Sequence, residues 1–170
     1  MLDTVACVAE AALPTRFGDF RINVLRVSNE PAELVALVLG DLRNARYPLV
    51  RLHSECITGD LFRSLRCDCG DQLNAALAMI AASGCGALLY LPQEGRGIGI
   101  ANKIRAYALQ DSGLDTVDAN LALGLPVDGR DYAAAALALR WLGATSVRLL
   151  TGNPAKCRSL ERHGVNVVER

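Results

Sequence analysis

Residues 51–72, RLHSECITGDLFRSLRCDCGDQ, place three cysteines at 56, 67 and 69, and a fold that gives these thiols a common task must close the intervening chain on itself. The spacing, C-x10-C-x-C, differs from the paired CxxC of a structural ribbon or finger, which supplies four ligands and completes the zinc tetrahedron. Three thiolates leave one position open, and an open position on zinc is where water binds and is acidified toward neutral pKa. The pattern points to hydrolytic rather than structural zinc; the alternative is three inert cysteines in a core, where free cysteine is common. Around the thiols stand Arg51, His53, Glu55, Arg66 and Asp68, residue types that hold an anionic substrate and move protons.

A chain of 170 residues, 51% of them hydrophobic, can build one full core, so a single compact domain over residues 1–170 is expected. Eighteen basic residues balance eighteen acidic ones, with no run of five like charges, and neither nucleic acid nor a membrane surface is expected as a partner. The start, with Asp3 and Glu10, lacks the basic and long apolar regions of a secretory leader, which predicts a cytoplasmic location. In that reducing compartment six cysteines speak for metal binding or packing rather than disulfides. Cys7, Cys85 and Cys157 read as packing residues, Trp141 as a core anchor, and His163 as a residue favoured at a helix C-terminus. The uncharged stretch 75–92 is broken by Ser83, Gly84 and Gly86, and reads as buried helix, turn and buried strand rather than a membrane span.

Strands are predicted over 5–12, 19–27, 33–39 and 48–54, with Pro14 and Gly18 marking the first turn. Four strands before any helix predict an antiparallel β-sheet or partial barrel in the N-terminal third. The fourth would present Arg51, His53 and Glu55 on one face, because strand side chains alternate. Beyond Asp60 the period becomes helical, with Leu73, Ala76, Leu77 and Ile80 forming an apolar stripe. A strand at ALLYL follows, then helices near 99–111 and 131–141, a strand at 147–150, a helix opened by Asn153 and Pro154, and a last strand, VNVVE. The whole is an α/β fold, an antiparallel front followed by alternating strands and helices.

Two further stretches are ready for an anion. In Gln93–Gly99 the glycines at 95, 97 and 99 let backbone amides approach a phosphate at a helix start, and Arg96 adds charge. The loop is neither a dinucleotide fingerprint nor a P-loop, and a glycine-rich turn without a ligand is its bland reading. In Thr151-Gly-Asn-Pro-Ala-Lys156 a lysine opposes the helix dipole in the first turn, which a phosphate there would explain; a solvated lysine is the alternative. Two such helix starts and an open zinc site imply a nucleotide that is hydrolysed.

The stretches HSECITGDLFRSLRCDCGDQL, QEGRGIGIANKIRAYALQDSGLDTVDAN, DGRDY and RLLTGNPAK, in this order, closely resemble the GTP cyclohydrolase II family. That family opens the guanine ring of GTP in the first committed step toward riboflavin, so the resemblance implies a zinc enzyme with one catalytic Zn2+ per chain, acting as a homodimer. Cys56, Cys67 and Cys69 match the zinc ligands, with zinc activating the water that attacks C8, whose carbon leaves as formate. Arg51, Leu52, His53, Ser54 and Glu55 match a GTP-binding segment, as do Gln72, Glu94, Gly95, Arg96, Thr116, Thr151 and Lys156. Arg130 matches the nucleophile on the α-phosphorus, which expels pyrophosphate, and Asp128 its activating base. Tyr107 matches a tyrosine that hydrogen-bonds and transfers protons at ring opening, and its presence predicts complete deformylation.

Physical chemistry alone gives Arg130 a different part, because a guanidinium has no free lone pair at neutral pH and binds phosphate bidentately. Charge stabilisation and covalent attack both stand open for it, and His53 stands open as a zinc neighbour or a substrate contact. Magnesium is expected with the departing pyrophosphate. A catalytically silent zinc-containing GTP-binding module is the alternative to an enzyme, and a thiol redox protein is disfavoured by the lack of a CxxC. The chain stops just after its last predicted strand, where family members often continue, and only the cyclohydrolase step is expected from it.

Overall fold

The computed structural model describes residues 4–170; Asp3, one of the residues read against a leader, lies outside them. The strands are β1 (Val5–Thr15), β2 (Gly18–Val27), β3 (Leu34–Leu39), β4 (Leu49–Ser54), β5 (Gly86–Leu91), β6 (Ser146–Leu149) and β7 (Asn166–Glu169). The helices are α1 (Ile57–Asp60), α2 (Cys69–Ser83), α3 (Ile100–Asp111), α4 (Thr116–Ala122), α5 (Ala133–Leu142) and α6 (Pro154–Arg162), with a 3-10 turn at Glu94–Gly97. The residues fall into two compact units. The first takes the chain up to His53 with Asp71–Leu91 and Asp131–Arg170, and the second takes Ser54–Gly70 and Pro92–Arg130.

In the first unit the strands form one sheet in the order β1-β2-β3-β5-β4-β6-β7. The sheet is mixed, which corrects the antiparallel front. β1, β2, β3 and β5 pair antiparallel in turn, but β4 runs parallel to β6 and β6 parallel to β7. The fourth strand therefore does not follow the third in the sheet. The reason lies in its side chains: Leu49, Val50, Leu52 and His53 are all buried, and a strand buried on both faces belongs in a sheet interior beneath helices. β5, with Ala87, Leu88 and Leu89 buried in succession, takes the place beside β3 for the same reason. β1 runs on through Pro14, which an edge strand tolerates because that position owes no ladder hydrogen bond.

Neighbouring residues of the central strands point into two different cores. Leu25, Val50, Leu52, Leu89, Val147 and Leu149 pack with Ala135, Ala138 and Leu139 of α5 and Leu160 of α6. Phe20, Leu49 and Leu88 pack with Ala76, Leu77 and Ile80 of α2, the predicted helical stripe. Each fully buried leucine contributes about 1.5–3 kcal/mol. Cys7, Cys85 and Cys157 lie against the first core as packing residues. Trp141 does not anchor a core: it is 37% exposed, because it sits two residues after Leu139 and so points away from the face α5 buries. α6 starts as the sequence predicts, with Asn153 Oδ1 accepting from the Ala155 amide at 2.9 Å and Pro154 in the first turn.

The second unit holds α1, the 3-10 turn, α3 and α4. α4 was not expected from the sequence and is only seven residues long. Its N-cap is Asp115, whose carboxylate accepts from the Asp118 amide at 2.8 Å. Among the described residues no helix is long and apolar enough to cross a membrane.

Candidate metal centre and nucleotide-binding residues

In the second unit the chain turns tightly after β4 to build α1. Cys56 precedes that helix, its amide held by Asp60 Oδ2 at 3.1 Å and its carbonyl accepting from the Asp60 amide at 2.7 Å. The sulfurs of Cys56, Cys67 and Cys69 all lie within 4.8 Å of one another, and those of Cys56 and Cys67 are 3.6 Å apart. Tetrahedral zinc with Zn–S near 2.3 Å needs sulfurs about 3.8 Å apart, so the donor set fits the metal. Gly59 is the floor of the cluster: a Cβ there would come 2.7 Å from Cys67 Sγ, 3.0 Å from Cys69 Cβ and 3.3 Å from Cys56 Sγ. Burial raises the Cys56 thiol pKa, but hydrogen bonds from Lys103, Thr58 and the Gly59 amide outweigh it and leave the thiol below its ordinary value. Burial, with Cys67 and Cys56 beside it, drives the Cys69 thiol well up. Three thiolates this close are mutually repulsive, and a divalent cation among them removes the conflict.

Lys103 escaped the sequence reading. It lies on α3, is 8% exposed, and donates to Cys56 Sγ at 3.0 Å and to Glu94 Oε1 at 2.8 Å. Burial disfavours its charge, but Glu94 and then Cys56 more than compensate and raise its pKa. Glu94 is equally committed: Oε2 accepts from the Ile57 amide at 2.7 Å and Oε1 from the Gly95 amide at 2.8 Å. Burial, then the charges of Glu94 and Asp60, raise the Glu55 carboxyl. Ser54 donates to Gln93 Oε1 at 3.3 Å. In sequence Lys103 is one cation among several on an amphipathic helix; its burial is a tertiary fact.

The glycine loop closes on itself rather than presenting all its amides outward. Gly97 donates to the Gln93 carbonyl at 3.2 Å and Gly99 to that of Glu94 at 2.9 Å. Gly95 and Arg96 both adopt left-handed backbone, with φ of 62° and 61°, which costs a non-glycine residue such as Arg96 about 1–2 kcal/mol. The loop packs on the second motif of this unit, Asp128-Gly129-Arg130. The Gly129 amide donates to the Arg96 carbonyl at 3.0 Å, and a Cβ on Gly97 would stand 3.1 Å from the Gly129 carbonyl. Asp128 grips Arg130 through both oxygens, Nε at 2.8 Å and Nη2 at 2.6 Å, and this guanidinium holds its carboxyl below the ordinary range. Tyr107 on α3 has the Arg66 guanidinium 4.7 Å and the Lys103 ammonium 5.8 Å from its ring centre. Arg66 also pairs with Asp111, and Thr116, the first residue of α4, accepts from Gln110 at 3.2 Å.

The first unit gathers a separate group at the ends of β4 and β6. Arg51 donates to the Leu150 carbonyl at 3.0 Å and to Gln72 Oε1 at 2.6 Å. Lys156 is buried, donating to the Leu52 carbonyl at 2.7 Å, with its ammonium 5.5 Å from the Tyr132 ring centre. Thr151 Oγ1 accepts from the Asn153 amide at 2.9 Å. His53 is buried and stacks on Tyr90, ring centres 5.6 Å apart. Glu55 lies beyond β4, which ends at Ser54, so strand alternation does not place it on the face expected for Arg51 and His53.

The family model for GTP cyclohydrolase II matches residues 6–170. The chain belongs to that family. It is 54% identical to the GTP cyclohydrolase-2 of Pseudomonas paraeruginosa, over 98% of this chain and 82% of that protein. With the GTP cyclohydrolase-2 of Histophilus somni it shares 52% identity, over 99% of this chain and 78% of that one. It is also 59% identical to the riboflavin biosynthesis protein RibBA of Salinispora tropica, over 98% of this chain but 42% of that longer protein. The chain therefore spans about two fifths of the length of such RibBA relatives. Among solved structures, the two-domain 3,4-dihydroxy-2-butanone 4-phosphate synthase RibBX from A. baumannii aligns with TM-score 0.47 and 20% identity, over 88% of this chain and 35% of that one.

Proposed function

We propose that this GTP cyclohydrolase II chain hydrolyses GTP at C8 of the guanine ring, giving 2,5-diamino-6-ribosylamino-4(3H)-pyrimidinone 5′-phosphate, formate and pyrophosphate, as the first step of riboflavin biosynthesis. The observation that carries the reading is the three-sulfur cluster, spaced for zinc and set beside a buried lysine–glutamate pair, in a member of this family. Zinc held by Cys56, Cys67 and Cys69 would supply Lewis acidity and an acidified water at the fourth position.

The rest of the chemistry falls to the chain. Tyr107, on the same unit as the cysteines and flanked by two cations, would donate to and accept from the opening ring. Arg130, fixed by Asp128, would stabilise charge on the α-phosphate as pyrophosphate leaves. The bidentate pair supports this role, since it holds the guanidinium in a fixed orientation. The same contact, Asp128 Oδ2 2.6 Å from Nη2, is also where a proton would go if Nη2 attacked phosphorus; trapping a phosphoguanidine intermediate would establish that second reading. Arg51, Leu52, His53, Ser54, Glu55, Gln72, Glu94, Gly95, Arg96, Thr116, Thr151 and Lys156 are assigned to GTP, with Arg51 and Lys156 suited by charge to its phosphates. Phosphoanhydride chemistry supports magnesium on the departing pyrophosphate, family resemblance supports a homodimer, and the N-terminal composition supports a cytoplasmic location.

Mass-resolved product analysis after incubation with GTP and magnesium tests the reading. All three products, lost with a chelator and regained with zinc, are expected. Unchanged GTP beside one bound zinc per chain would overturn it in favour of a silent GTP-binding module.

A further inference from the structure

The cysteines and the loop motifs leave Lys103 without a part in the chemistry, although it is among the most deeply placed cations of the second unit. A buried ammonium must be paired, and this one is paired twice, to Glu94 at 2.8 Å and to Cys56 Sγ at 3.0 Å. Glu94 in turn holds the amide of Ile57, the residue after Cys56, at 2.7 Å. Lysine, glutamate and cysteine thus form a closed ring of hydrogen bonds around one of the three sulfurs. A surface lysine that merely covered the cluster would have no such anchor.

We propose that Lys103 is a positioning residue of the metal centre: by donating from a Glu94-anchored ammonium to Cys56 Sγ, it fixes that sulfur as a ligand and withdraws electron density from it. This rests on the zinc reading above. A thiolate that shares its lone pair with an ammonium gives less charge to the metal, so the metal stays a stronger Lewis acid than three unmodified thiolates would allow. Cys56 becomes the weakest electron donor of the three. The ring also accounts for the inward-facing Glu94 carboxylate, whose oxygens accept from Lys103, Ile57 and Gly95.

The test uses the full chain with cobalt(II) in place of zinc, comparing wild type with Lys103→Met and Lys103→Gln. In the wild type a sulfur-to-cobalt charge-transfer band and tetrahedral ligand-field bands are expected at one cobalt per chain. In Lys103→Met the ligand-field bands persist while the charge-transfer band moves to longer wavelength, because a sulfur without its hydrogen bond gives up electrons more easily. Zinc affinity, by competition with a chromophoric chelator, falls about 10–100-fold, as when other outer-sphere partners are removed. Lys103→Gln, which keeps a neutral donor, falls between, and carries the test alone if the methionine variant does not fold. Unchanged band and affinity in folded variants would overturn the proposal and leave the zinc reading standing. A wild type that takes up no cobalt or zinc would instead overturn the zinc reading on which it rests.

Discussion

The two units of this chain are held together by different means. The first has a sheet with apolar cores on both faces, built from Leu25, Val50, Leu52, Leu88, Leu89, Val147 and their helical partners. In the second, the buried hydrophobic residues are Cys56, Ala106 and Ala119, and they share the interior with Glu94, Lys103 and Asn120. Its large apolar side chains Leu61, Phe62 and Leu65 are exposed. An interior of that kind cannot offset the conformational entropy of the loops it orders, at about 1–2 kcal/mol per residue, by apolar burial alone. The second unit therefore relies more on polar hydrogen-bond rings, and a metal on Cys56, Cys67 and Cys69 would add to its stability as in small metallo-domains. The first has an apolar core on each face of its sheet to draw on.

Metal removal tests that contrast most severely. Stripping zinc from the whole chain is expected to collapse amide protection across α1, α3 and α4 while β2, β3 and β5 keep theirs; equal loss in both units, followed by hydrogen exchange, would break the comparison. Next in size, Cys67→Ser should abolish formate release, by about 10³-fold or more, yet leave some cleavage of the phosphoanhydride. Loss of both in a variant that is folded and binds GTP would show that the two hydrolyses share the metal. Arg130→Ala should slow pyrophosphate release about 10²–10³-fold, read by pyrophosphate assay with zinc content unchanged. In the first unit Leu139→Ala should cost about 2–5 kcal/mol in denaturant unfolding with zinc stoichiometry intact, sharpening the view that the apolar core and metal centre are separate supports. The smallest effect is expected from Asn153→Ala, about 1 kcal/mol from the lost cap on α6, and a value near zero would show that Pro154 alone starts that helix.

Much of the first unit was legible. β1 to β4, the α2 stripe and the Asn153–Pro154 start follow from alternation, helical period and capping, all of which act between residues close in the chain. What escaped was the order of strands: whether β4 lies beside β3 or β6 is decided by which cores must be covered on both faces, not by β4's own period. Trp141 was misplaced because a tryptophan's size says nothing about the side of a helix that meets the sheet. α4 was missed because seven residues carry too little pattern to rise above a loop.

The candidate site divides along the same line. The residue types and spacing of Cys56, Cys67 and Cys69, the glycines of the 95–99 loop and the Asp128–Arg130 motif are written locally, so the family was legible in the sequence, as was the candidate set of residues for its chemistry. Only the tertiary structure decided that the loop and the Asp128–Arg130 turn touch through Gly97 and Gly129, and that Lys103 is buried against Cys56 and Glu94 rather than solvated. A side chain's charge is fixed by its identity, but its partner and its exposure are set by chain segments 9 and 47 residues away, and no local pattern records them.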